Sequence, residues 1–468
     1  MNDRDFEFCK KELIESGVDF KIHQISKETK KIISSKIQSK IDNIREISSS
    51  LECSLGIVGG FVRDLLLGRK SEDVDFIVFK GDLQKLTTTV AEKMGGKIGK
   101  MSNRTLTTQV RFPDGIVFEF NSTRKERYEY PSRIPIVEKA SIAEDLQRRD
   151  FTVNALIMFE NSFIDLFNGV EDLQNQLIQT TRGPEIVFHE DYLRMFRAVR
   201  FACKLNFNIS SEVENGIMLN AMNLLDVPKE RIISELKTSL SYSPTKTFIL
   251  MRDLGILEVM FPEVKNIELD NHIYSIKDTW TRIESKLKFL ETKDSKNVNL
   301  FLTMILEEII ITRDSDLTQS VERILRHYKF SNKEISEILD YLKYRNSLID
   351  LTEIVPEDFD IRKTLRELGD LVDGVILWTE SELSIRTEGI DLDPLLAQIL
   401  RLQQREDLIF FEPKLDGHMI REIFKIEGNQ INHVKSLLID AIMKEEIPNS
   451  TESCVAYLNE KDLKKELN

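Results

Sequence analysis

Residues 56–79 read GIVGGFVRDLLLGRKSEDVDFIVF, and the order of their parts decides the fold. An apolar run closes on Gly59-Gly60, a helix-patterned stretch (61–68) follows, and a second apolar run carries Asp73-Val74-Asp75. The pattern predicts strand, turn, helix, strand. Two glycines at a strand-to-helix turn let the backbone approach a phosphate, and the helix N-terminus adds N–H donors and a favourable dipole. Arg63, one turn into the helix, can add a charged fork to the same anion. Asp73 and Asp75 stand two apart on a strand, so both carboxylates project from one face. Paired acidic oxygens beside a triphosphate cradle suit Mg2+, which is hard and shares its shell with substrate phosphates. Two such metals lower the pKa of an attacking hydroxyl and stabilise a leaving pyrophosphate. Each piece alone is weak: a double-glycine turn is common, and a lone DxD on a strand edge is more often a solvated face. The ordered combination, GG-x-x-R-D and then D-x-D, is far more specific.

Outward from this stretch the texture stays β-rich. TTQVRF (107–112) and IVFEF (116–120) flank Pro113-Asp114-Gly115, a hairpin signal. Upstream, KETKKIISSKIQSKIDNIREI places Ile at helical spacings. Beyond residue 180 nearly everything is amphipathic helix, as in DVPKERIISELKTSL and VNLFLTMILEEII. The expected architecture is α+β: a helical extension (1–50), a mixed α/β head (51–180), and helical segments over 181–260, 261–400 and 401–468.

Composition narrows the classes of function. The chain has 468 residues and a formal charge of −14, which argues against indiscriminate coating of nucleic acid and leaves room for a local basic cleft. No apolar run reaches the ~20 residues a membrane helix needs. The charged start, MNDRDFEFCKKELIESG, predicts no secretory leader. Cys9, Cys53, Cys203 and Cys454 are scattered without a CxxC, which predicts reduced structural thiols and a cytoplasmic setting. The isolated His272 reads as structural.

The head motif resembles the nucleotidyltransferase superfamily of DNA polymerase β. That resemblance implies catalytic and metal roles for Asp73 and Asp75, a nucleotide-binding role for Gly59, Gly60, Arg63 and Asp64, and a third carboxylate on a later strand, for which Glu119 is the candidate. An outward-facing strand glutamate is the equally ordinary reading of Glu119. Further along, EDLQRRDFTVNALIM (144–158) and FHEDYLRMFRAVRFACKLNF (188–207) make the match familial. Together the motifs resemble the class II (bacterial and eukaryotic type) tRNA nucleotidyltransferases and their poly(A) polymerase relatives, over roughly residues 50–240. VPKERIISEL and GNQINHVKSLLIDAIMKEEI resemble that family's neck and tail.

The resemblance implies that Arg149 and Asp150 select a ribose, and that Asp191 and Arg194 act as an amino-acid template for the incoming base. On a helix Asp191 and Arg194 are i,i+3 neighbours, otherwise an ordinary surface ion pair. The chemistry fits the template. Cytosine and adenine each offer an exocyclic amine beside a ring-nitrogen acceptor, and a carboxylate next to a guanidinium complements both. Uracil and guanine meet the same pair with like facing like. Family precedent also puts Arg197 and Arg200 at the nucleotide, while Leu193, Phe196 and Val199 would be core. The polar stretch STRKERYEYPSRIPIVEKA (122–140) reads as a surface loop. In the resembled family a flexible loop here helps the enzyme switch from C to A. Its R-x-E-x-Y-x-x-P style, with GDLQKLTTTVAEKMGGKI before it, also resembles members that add only the terminal A.

The implied fold is a head with a five-stranded mixed sheet followed by helical neck, body and tail. The implied function is template-independent addition of C, C and A from CTP and ATP to the 3′ end of tRNA, with Mg2+. The alternatives are A-addition only to tRNA ending in CC, poly(A) addition, and a catalytically silent RNA-binding protein. Poly(A) polymerases of this kind are expected to carry a long basic C-terminal extension, whereas this chain ends in ordinary helical sequence. The intact Arg63, Asp73, Asp75, Asp191 and Arg194 disfavour the silent reading.

Overall fold

The computed structural model describes residues 4–99, 106–127, 136–264, 276–310, 317–386 and 390–461. The chain divides into two compact units, Met1–Pro262 and Glu263–Asn468.

The first unit opens with α1 (Arg4–Glu15), β1 (Lys21–Gln24), α2 (Lys27–Lys30) and α3 (Ser35–Ser50). The isoleucine spacing seen in the sequence is the buried stripe of α3: Ile37, Ile41, Ile44 and Ile47 face inward, and the Ser34 hydroxyl caps the helix by accepting from Ile37 N–H. The decisive stretch follows as β2 (Ser54–Val58), α4 (Gly60–Leu66) and β3 (Val74–Lys80). Next come α5 (Leu83–Met94), β4 (Lys97–Ile98), β5 (Thr107–Arg111) and β6 (Val117–Ser122). The hairpin expected at Pro113-Asp114-Gly115 is present, with Arg111 opposite Val117 and Gly115 at φ 86°. Then come β7 (Arg124–Arg127), β8 (Ile136–Lys139), α6 (Ile142–Gln147), β9 (Leu156–Met158), β10 (Ser162–Asp165) and α7 (Gly169–Gln174). The unit closes in helices: α8 (Pro184–Glu190), α9 (Leu193–Leu205), α10 (Ser211–Asn220), α11 (Lys229–Tyr242), α12 (Pro244–Asp253) and α13 (Ile256–Met260).

The main sheet has eight strands in the order β1-β10-β9-β2-β3-β6-β5-β4, three more than the resemblance implied. It is mixed: β3 and β6 run parallel, and the other pairs are antiparallel. One edge strand, β1, comes from the charged extension, which is therefore not wholly helical. Its run KIHQ pairs with β10 through Lys21↔Asp165 to Gln24↔Ser162. The stretch 122–140 also differs from a plain loop. Its flanks pair as a two-stranded ribbon, β7 with β8, while Tyr128 and Pro131 lie outside the described residues, as does His272.

Strand alternation sorts the two faces of the sheet. Phe76 stacks on Phe120 at 4.9 Å between ring centroids, and Phe118 joins them on that face. On the opposite face Ile77 and Val58 join Cys9 and Leu13 of α1 and Ile142 and Leu146 of α6 in one buried cluster. Asp75 and Glu119 alternate onto this second face. Helix α9 lies against α11, and its Leu193, Phe196 and Val199 are buried as expected.

The second unit is helical among its described residues. Trp378 and Phe301 are fully buried there, and Lys286, 1 % exposed, is neutralised by Glu308 and Glu382, both at 2.6 Å. A separate cluster, from Leu415 and Ile420 to Val434, Leu438 and Leu458, closes the C-terminal helices. All four cysteines are buried and free. Among the described residues no helix is long and apolar enough to cross a membrane.

Candidate active site

Gly59, directly after β2, has φ 77° and ψ −144°, a conformation essentially reserved for glycine. A Cβ there would stand 3.2 Å from Asp75 Oδ2, so the turn is shaped around that carboxylate. Sheet register explains the neighbourhood. Antiparallel pairing sets Val58 opposite Asp75, and parallel pairing sets Asp75 beside Glu119, so three strands deliver the glycine turn and two carboxylates to one corner. Asp73 stands one residue before β3 and is exposed. Glu119 accepts from Asn121 Nδ2 at 3.0 Å and Gln109 Nε2 at 3.3 Å.

The corner is electrostatically strained. Burial, with Asp73 and Glu119 adding repulsion, pushes the Asp75 carboxyl up to about 7, while Arg149 opposes the rise. A cation bound there would relieve that strain. Among the described residues no group of three His, Cys, Asp or Glu side chains forms a closed metal cage. A cation held by Asp73 and Asp75 would thus draw further ligands from elsewhere, as Mg2+ does with substrate phosphates. The donor set fits a hard divalent ion.

The same cleft is lined by guanidinium groups. Arg63, 2 % exposed, donates to Asp64 Oδ1 at 2.8 Å and Asn154 Oδ1 at 2.7 Å, so part of its hydrogen-bonding capacity braces α4. Arg149 donates to the buried Asp145 at 3.2 Å. Asp150 takes a two-pronged grip from Arg197, at 2.8 and 2.6 Å. Burial would raise the Asp150 carboxyl, but the charge of Arg197 and bonds from Asn154 and Arg197 outweigh it and hold the group at about 2.

Asp191 and Arg194 do not form the ordinary helical ion pair with each other. Asp191 precedes α9, and its carboxylate accepts Leu193 N–H at 3.1 Å and Arg231 Nη2 at 2.9 Å. Arg194 turns instead to Glu190 at 2.7 Å, to the Val187 carbonyl at 3.2 Å and to the Arg148 carbonyl at 2.6 Å. The physical reason is position: Asp191 has extended backbone, φ −151°, outside the helix that the i,i+3 reading assumed. Arg200 pairs with Glu235 at 2.5 Å and lies over the Phe201 ring at 4.3 Å.

All of Gly59, Gly60, Arg63, Asp73, Asp75, Glu119, Arg149, Asp150, Asp191, Arg194, Arg197 and Arg200 line one cleft of about 490 Å³. Asp64 does not line it and acts on Arg63 from behind. The cleft also exposes residues the motif reading passed over: Asn121, Arg124, Arg148, Asn154, Phe201, Lys204 and Arg231. Arg231 and Glu235 stand four apart in VPKERIISEL, and that spacing on one helix face was the available signal. Eight arginines and a lysine face five carboxylates, so an acidic chain carries a locally cationic cleft. It can hold a polyanion at one end and a flat polar group at the other.

The Poly A polymerase head domain family matches residues 55–179. A second family, described as the probable RNA and SrmB-binding site of polymerase A, matches 206–268. The A-adding tRNA nucleotidyltransferase of Geobacter sulfurreducens is 37% identical over 231 residues, covering 47% of this chain and 26% of the relative. The chain thus spans about a quarter of that relative's length. The CCA-adding enzyme of Lactobacillus johnsonii is 30% identical over 318 residues, covering 65% of this chain and 70% of the relative. Among solved structures, the Bacillus stearothermophilus CCA-adding enzyme in complex with CTP shares the fold, with a TM-score of 0.68 at 22% identity, covering 93% of this chain and 100% of that one.

Proposed function

The chain belongs to the family of the CCA-adding enzymes, and on that premise we propose that it adds C, C and A from CTP and ATP to the 3′ end of tRNA. One observation carries the reading: the carboxylate corner and the Asp191 and Arg194 side chains open into the same cleft. Chemistry at a triphosphate and inspection of a base can therefore occur on one bound nucleotide.

In the proposed mechanism the Gly59-Gly60 turn and Arg149 receive the triphosphate. Asp150, kept ionised by Arg197, offers an acceptor to the ribose hydroxyls. The RNA 3′-oxygen attacks the α-phosphorus, and the bond to the β-phosphate oxygen breaks. Pyrophosphate leaves with the electron pair, and the hydroxyl proton departs toward the carboxylate corner. A divalent cation, Mg2+ by the chemistry of its donors, would sit at Asp73 and Asp75 beside Glu119, supplying Lewis acidity to the hydroxyl and the leaving group. Asp191 and Arg194 read the base once each has given up its present partner. A carboxylate and a guanidinium then accept C and A and reject U and G.

The test is single-turnover extension of tRNA transcripts with each of the four nucleoside triphosphates. Incorporation of C and A with exclusion of U and G supports the reading, and four equal incorporations refute the base-reading role. A second reading, addition of the terminal A alone, is favoured by the 37% identity to the Geobacter relative and by the loop style of residues 122–140.

A further inference from the structure

Asp145 is fully buried on α6 and does not line the cleft, yet several elements of the site meet on its carboxylate. Its Oδ1 accepts Arg124 N–H at 3.2 Å, Arg148 Nε at 3.0 Å and Arg148 Nη2 at 2.8 Å. Its Oδ2 accepts Arg149 Nη2 at 3.2 Å. Arg149 reaches the Gly59 turn, 3.7 Å from where a Cβ would stand. The Arg148 carbonyl in turn receives Arg194 Nη2 at 2.6 Å. One buried anion thus ties the guanidinium at the phosphate end of the cleft to the guanidinium at its base end.

The anchor itself is firmly held. Helix α6 starts with a reciprocal Ser141–Glu144 capping box. Glu12 of α1 accepts Ile142 N–H at 2.7 Å, and Cys9 and Leu13 pack on Ile142 and Leu146. A fixed carboxylate matters because Arg148 and Arg149 are adjacent in sequence and repel. Without the anion between them, each guanidinium would seek its own counter-charge, and Arg149 has carboxylates within the cleft to choose from.

We propose that Asp145 is a positioning residue for nucleotide recognition, holding Arg149 at the triphosphate end and, through the Arg148 carbonyl, Arg194 at the base end. The proposal rests on the nucleotidyl-transfer reading above. Asp145 does not line the cleft, so its loss acts through the arginines it holds.

The experiment compares wild type with Asp145→Asn, which keeps size and one acceptor and removes the charge. Thermal melting establishes that the variant is folded. Equilibrium binding of ATP and CTP without RNA is measured first, and then KM, kcat and UTP misincorporation on a tRNA transcript. The expected result is ATP and CTP affinity weakened about tenfold, as for loss of a charge-assisted contact, with a raised UTP-to-CTP incorporation ratio and tRNA affinity unchanged. Unchanged nucleotide binding and unchanged UTP rejection in a folded variant would overturn the proposal. So would an equal loss of tRNA binding, the mark of general damage. Should Asp145→Asn fail to fold because two half-buried cations lose the anion between them, the pair Asp145→Asn/Arg148→Met removes one cation with the anion. It should show the same weakening, and wild-type nucleotide affinity in it would overturn the proposal. If wild type binds nucleotide but extends no RNA, the functional reading fails while the binding comparison still decides the role of Asp145.

Discussion

Arg231 gives a prediction whose sign separates two accounts of the base-reading end. Its guanidinium holds Asp191 Oδ2 at 2.9 Å, so on the proposed base-reading role it competes with an incoming cytosine or adenine for the carboxylate. The Arg231 side chain is 51% exposed and that of Asp191 22%. An ion pair so open to water is worth only about 0.2–1 kcal/mol. Replacing Arg231 with Met removes the competitor and keeps much of the aliphatic stem. Freed of that cost, Asp191 should bind CTP and ATP roughly 1.4- to 5-fold more tightly, the same free energy expressed as affinity at about 1.4 kcal/mol per tenfold. The assay is equilibrium nucleotide binding without RNA, at two salt concentrations, because the gain should shrink as salt screens the pair in wild type. Weaker CTP and ATP binding in Arg231→Met would refute the reasoning and make Arg231 a ligand of the nucleotide.

Other outcomes follow from the same geometry. Asp73→Ala and Asp75→Ala should abolish nucleotide addition with tRNA binding largely intact in a filter-binding assay; wild-type-like turnover would remove the metal assignment. Asp191→Ala should relax base choice, read as UTP or GTP incorporation beside CTP; unchanged rejection sinks the template role. Asp150 is held at about 2, below its ordinary value of 3.8. It therefore contributes stability that is present above 3.8 and lost as pH falls through about 2. In acid titration followed by circular dichroism, Asp150→Asn should flatten that part of the profile, and an identical profile would contradict the assignment.

The parts of this site legible in sequence are those written in short range. Gly59, Gly60, Asp73 and Asp75 fall within one strand–turn–helix–strand run, where periodicity and glycine chemistry suffice. Glu119 was no more than a candidate, because its place depends on β3 and β6 running parallel with Asp75 beside it, a pairing that no local pattern encodes. The helical i,i+3 placement of Asp191 and Arg194 failed for a related reason. Spacing assumes continuous helix, whereas the chain breaks at Asp191 between α8 and α9 and lets a distant Arg231 take the carboxylate. Strand β1 was hidden because KIHQ sits in a charged segment and pairs at a sheet edge, leaving most of its side chains exposed. Asp145 lies within the quoted run EDLQRRDFTVNALIM but was not singled out, because the arginines that converge on it are set by the fold of that run against Arg124.

The most direct test of the central claim uses one tRNA transcript in three forms: lacking CCA, ending in C, and ending in CC. Each is incubated with the protein, Mg2+, CTP and ATP, and products are resolved to single nucleotides. The account predicts that all three become CCA and that growth stops there. Extension of the CC-ended form alone, by one A, would contradict CCA addition in favour of the A-adding reading, and extension of none would contradict nucleotidyl transfer itself.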